Sequence, residues 1–195
     1  MKLVKIFSAV VFVCLGFGSL SAHMAEPDSL RVKIKEKDFK DSLVVYESRF
    51  GQNKIVHDSL KLAFYTALSR YPELWDAHIE IDYQSINSTM QARPRIWSMF
   101  SSKKNRKYMV VLNDREGKEK GLSYSKINFE VLVGWFAHEF AHIYSYKDLN
   151  TWEMIGFGLK YLISGDFHKT IEREADAMAC RRGFSNAIYC GKVLL

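Results

Sequence analysis

Residues 134–143 read G-W-F-A-H-E-F-A-H-I and carry the pattern H-E-x-x-H inside an apolar run. On a helix, positions i and i+4 share a face, so His138 and His142 can grip one metal ion from the same side. Glu139 lies one residue round from His138. From there it reaches a water on that metal without being a ligand. A metal with a base so placed makes a hydroxide nucleophile at neutral pH. The flanking residues 128–146 are apolar almost all round, which predicts a buried helix. Two histidines and a glutamate buried there need a cation or hydrogen-bond partners.

A catalytic zinc takes three protein ligands and a water, so a third ligand is expected downstream. Residues 168–176 read H-K-T-I-E-R-E-A-D. Glu172 and Asp176 are four apart and share a helical face, whereas Glu174 points about 200° away from Glu172. Glu172 is therefore the expected third ligand, with Glu174 and His168 as the alternatives. Asp176, one turn on, is placed to accept the free N–H of a ligating histidine and so fix its tautomer.

The pairing of H-E-x-x-H with a downstream E-x-E-A-D resembles the gluzincin metallopeptidases related to the CAAX prenyl protease and its bacterial heat-shock membrane homologue. The family's downstream stretch typically reads S-R-x-x-E-x-E-A-D. The present sequence keeps Glu172, Glu174, Ala175 and Asp176 and departs at His168 and Lys169. The likeness covers roughly residues 108–183. It implies zinc on His138, His142 and Glu172, with Glu139 as general base, and a zincin-like α+β fold. In such a fold a small mixed or antiparallel sheet packs on the H-E-x-x-H helix. Many members of that family are embedded in membranes, whereas no membrane span is expected in this mature chain. The gap between His142 and Glu172 is also short for the family.

Residues 1–22 read as a signal segment. Lys2 and Lys5 precede an apolar stretch over 6–17 that is too short to span a bilayer, and cleavage is expected after Ala22 or after Ala25. An exported, periplasmic or secreted protein is the expectation, with residues 23–195 forming one domain. Loss of the two lysines lowers the formal charge from +6 to +4, too modest to point to nucleic acid. Export also leaves Cys180 and Cys190, with nine residues between them, for which one disulfide is expected.

Several elements must carry these groups. Residues 53–70 fit a helix containing His57, ended by Pro72. Alternation at Ile79, Ile81 and Tyr83 predicts a half-buried strand, with 88–93 as its pairing partner up to Pro94. Leu30, Val32 and Ile34 alternate as a strand or extended arm. Residues 107–112 read as a strong strand, and are the expected sheet edge for adding an extended peptide by main-chain hydrogen bonds. Asn150 or Thr151 can cap a helix over 152–163, with Phe157, Leu159, Tyr161 and Leu162 as packing residues. Asp166 can cap the Glu172 helix, and Gly183 can stop it.

The chemistry expected is hydrolysis of a protein or peptide substrate. Glu139 takes a proton from the attacking water and returns it to the leaving amine. His168 is the first choice for stabilising the oxyanion, followed by Tyr144 and the pair Tyr124 and Tyr146. Two other classes stay open: an inactive zincin-like binding or assembly module, and a small exported domain without metal.

Overall fold

Residues 107–113 form a strongly apolar, β-forming run, and they take the interior of the sheet. The computed structural model describes residues 32–113 and 127–194. Its sheet has four strands: β1 Lys54–Ile55, β2 His78–Gln84, β3 Met90–Pro94 and β4 Lys107–Asn113, in the order β1-β2-β4-β3. The β1–β2 and β2–β4 pairs are parallel, and β3 runs antiparallel to β4. The period-2 alternation in β4 then sorts its side chains. Tyr108, Val110 and Leu112 join the main core, whereas Met109 and Val111 pack with Ile86 on the opposite face.

Among the described residues six α-helices surround this sheet: α1 Leu43–Phe50, α2 Asp58–Leu68, α3 Phe129–Tyr146, α4 Thr151–Ile163, α5 Gly165–Ala179 and α6 Ser185–Leu194. The fold is mixed α+β and mostly helical. Among the described residues no helix is long and apolar enough to cross a membrane.

The motif helix α3 is the central element. Asn128 caps it by accepting from the Val131 N–H at 2.9 Å. Phe136 and Phe140 meet Phe64 of α2 edge-on, at ring separations of 5.5 and 5.1 Å. The buried Tyr71 hydroxyl donates to the Ala137 carbonyl at 2.6 Å, one residue before His138. On the other flank Gly134 lets α6 approach closely: a Cβ there would lie 2.7 Å from the Ala187 carbonyl carbon. Gly191 of α6 makes the reciprocal space for the Trp135 indole, whose Nε1 is 2.6 Å from where a Cβ would be. Between α5 and α6 the chain turns through Cys180–Phe184 with Gly183 at φ 93°, a left-handed conformation suited to glycine.

Several expectations are corrected. Residues 54–55 are a strand, because they pair with Ile79 and Glu80, and α2 starts only after the extended His57. β3 pairs with β4 and not with β2, since β2 already lies between β1 and β4. Residues 107–112 are therefore interior, and β3 is the edge beside α3. Ser164, not Asp166, caps α5, accepting from the Phe167 N–H at 3.3 Å. Cys180 and Cys190 are both thiols, not a disulfide. They sit on different helical segments, Cys180 packed against the core and Cys190 with its sulfur 3.6 Å from Asn186 Nδ2. Residues 32–35 take no regular structure, although Ile34 N–H reaches Glu130 Oε1 at 2.8 Å. The expected signal segment 1–22, residues 30–31 and Tyr124 lie outside the described residues.

Candidate metal centre

The i, i+4 spacing on α3 and a single glutamate on α5 converge as the sequence suggests. The His138 and His142 Nε2 atoms are 3.0 Å apart. Glu172 brings Oε2 to 3.3 Å from His138 Nε2 and Oε1 to 3.4 Å from His142 Nε2. One ligand atom from each of the three lies within 4.8 Å of the other two. Tetrahedral zinc with bonds of about 2.0–2.2 Å holds its ligand atoms roughly 3.3–3.5 Å apart; both His–Glu spacings match that, and the two histidine nitrogens stand somewhat closer.

The chemistry of the donor set points the same way. His138 Nδ1 is 3.0 Å from Asp176 Oδ1. With its proton donated to that carboxylate, a neutral His138 turns the lone pair of Nε2 toward the nitrogen of His142. Two lone pairs and a carboxylate facing one point repel each other unless a cation or a proton sits between them. Without metal the proton goes to His138. Burial pulls its pKa down, but the hydrogen bonds to Asp176 and Glu172 and the nearby carboxylate charges outweigh this and raise it to about 10. Burial and the His138 charge lower His142 to about 4. Burial would push Glu172 up, yet the two histidines and Tyr161 hold it well below the usual carboxylate range.

The surroundings orient each ligand. Asp176 spans from His138 to Lys192 of α6, whose Nζ lies 2.5 Å from Oδ2. Tyr161 of α4 donates its hydroxyl to Glu172 Oε1 at 2.5 Å. Its ring stacks on His168 at 4.2 Å, and its hydroxyl is 3.1 Å from His168 Nε2. His168 thus stands beside the cluster, 3.7 Å from Glu172 Oε1.

Glu139 is 7% exposed and accepts the Ala92 main-chain N–H of edge strand β3 at 2.5 Å. Burial raises its pKa to about 7, with His138 and the Ala92 N–H offsetting only part of that effect.

The structure therefore brings together His138, His142, Glu172 and Asp176, with Glu139 and His168 alongside. It turns Tyr144 toward Arg182, 5.4 Å from its ring, and buries Tyr146 between Tyr108 and Phe157. Glu174 is exposed on the other side of α5 and is not part of the cluster. Three contributors are not evident from sequence: Tyr161, Lys192 and the Ala92 N–H. Tyr161 alone left a signal, as a hydroxyl-bearing residue one tight turn before the ligand helix.

No protein-family model matches the chain, and neither curated proteins nor solved structures give a significant match.

Proposed function

We propose that this chain is an exported zinc metallopeptidase of zincin-like architecture that hydrolyses peptide bonds. One observation carries the reading: H-E-x-x-H on α3 and Glu172 on α5 present three ligand atoms within 4.8 Å of one another. Zinc held by His138, His142 and Glu172 would supply a Lewis acid and lower the pKa of a coordinated water.

The residues of the chain do the rest. Glu139, buried beside the cluster one residue round from His138, is the general base that takes the proton of the water and returns it to the leaving amine. Asp176 fixes the tautomer of His138, and Tyr161 holds one oxygen of Glu172. His168, next to Tyr161, is the proposed donor to the developing oxyanion. An extended peptide would add to β3, the edge strand beside α3, rather than to β4.

The test is zinc content together with peptidase activity for the parent, Glu139→Gln and Glu172→Ala. About one zinc per chain in the parent and in Glu139→Gln is expected, with hydrolysis lost in the latter by at least about a thousandfold. Glu172→Ala should lose zinc. Hydrolysis surviving in Glu139→Gln refutes the general-base assignment. Zinc without any hydrolysis in the parent points instead to an inactive binding module.

A further inference from the structure

Helix α4 carries a second feature, independent of the metal. Wound at about 100° per residue, Trp152, Gly156, Leu159 and Ile163 fall within an arc of about 60°. Met154 and Tyr161 lie on the opposite side, and they are the residues that turn inward: Met154 is buried and Tyr161 reaches Glu172. The outer stripe is bare. Trp152 is 79% exposed, Ile163 82% and Leu159 44%, and a Cβ at Gly156 would touch nothing. The stripe continues onto the 3₁₀ turn Ile96–Phe100, which Thr151 joins to α4 by donating its hydroxyl to the Met99 carbonyl at 2.7 Å. Phe100 and Trp97 on that turn are 62% and 76% exposed.

The charges bordering this apolar ridge are mostly basic. Lys103 and Lys104 follow Phe100 after two serines, and Lys160 lies on α4 beside Gly156. Of the neighbouring acids, Asp166 is exposed just beyond Ile163, and two others are engaged. Asp148 pairs with Lys147 at 2.8 Å, and Glu153 accepts the Asn150 N–H at 2.7 Å to close the capping box. A convex apolar ridge with tryptophan at one end and lysines at its margin matches the interface of an acidic bilayer. Indole and aliphatic groups enter the acyl boundary there, and ammonium groups reach the phosphates.

We propose that α4 and the 3₁₀ turn form a docking surface for an anionic phospholipid bilayer, on which the protein lies without spanning it. Tryptophan fluorescence of the full chain is read against phosphatidylcholine vesicles with and without phosphatidylglycerol, the lipids carrying a nitroxide quencher on the acyl chain. The four tryptophans are Trp75, Trp97, Trp135 and Trp152, so none lies in the apolar N-terminal stretch and its insertion alone gives no quenching. Quenching is expected with the anionic vesicles, most of it lost in Trp152→Phe. Leu159→Glu with Ile163→Glu should weaken binding by about tenfold or more, and added salt should weaken it further. These residues are exposed, and circular dichroism checks that the variants fold. Equal quenching in the parent and Trp152→Phe overturns the proposal. So does equal binding to both vesicle types. A dimer that forms without lipid quenching and is lost in Leu159→Glu/Ile163→Glu overturns it too, and assigns the stripe to a second copy of the chain.

Discussion

At the scale of single residues, the metal cluster is a contest between a proton and a cation for the same lone pairs. His138 holds its proton up to about pH 10 in the metal-free cluster, whereas His142 has already lost its own above about 4. The sign follows. Between about pH 7 and 10, zinc must displace one proton from His138, so its affinity should rise about tenfold per pH unit and then level off. Competition with a zinc indicator across that range measures this, and a flat profile would mean that His138 is not a ligand. A raised histidine also stabilises the metal-free fold below its unfolded pKa of 6.5, and that stabilisation is lost as pH rises through about 10. Asp176→Ala removes the acceptor for His138 Nδ1 and leaves Lys192 facing a gap. Zinc affinity should fall about 10- to 100-fold, as read by the same titration, with helix content unchanged.

At the scale of elements, the convergence of the candidate ligands was legible because both helices obey simple spacing. His138 and His142 share a face of α3, Glu172 and Asp176 share a face of α5, and each pair needs only the 3.6-residue period. The sheet was less legible. Residues 78–84 alternate and residues 108–112 are a continuous apolar run, so both read as strands, but strand order depends on which edges the helices leave free, and no local pattern carries that. The two-residue β1 was hidden for the same reason, being a strand only because Ile79 and Glu80 lie alongside it. Helix–helix distances were equally hidden, and here glycine decides. Gly134→Ala forces a methyl group against the Ala187 backbone at 2.7 Å. This should cost about 1–3 kcal/mol, seen as a lower chemical-denaturation midpoint, because α3 and α6 must part. The expected packing role of Leu159 failed because α4 gives its inner face to Met154 and Tyr161 and leaves Leu159 outside. A cap for α4 was expected at Asn150 or Thr151; Asn150 takes it, with a capping box, and Asn150→Ala should cost about 1 kcal/mol in the same measurement.

At the scale of the whole molecule, the proposed metal would join α3 to α5, two helices on either side of α4. Ligand binding to the folded state alone stabilises it by about 4 kcal/mol when the free ligand is a thousandfold above its Kd. Removing zinc with a chelator should therefore lower the unfolding temperature, and re-addition should restore it. An unchanged transition would leave a domain that needs no metal. The Glu139–Ala92 contact also bears on how molecules meet one another. Ala92 aims its N–H away from β4, and by the strand's alternation Met90 and Pro94 face the same way. Proline has no N–H to offer, and Glu139 covers that of Ala92, so the open edge presents carbonyls and almost no donors. Two such edges from separate molecules cannot zip together, because each needs donors from the other. The side chain proposed to move protons would then also keep the protein from aggregating through β3. Glu139→Gln retains an amide oxygen to cover Ala92, whereas Glu139→Ala leaves that donor bare and should be the more aggregation-prone of the two in concentrated solution.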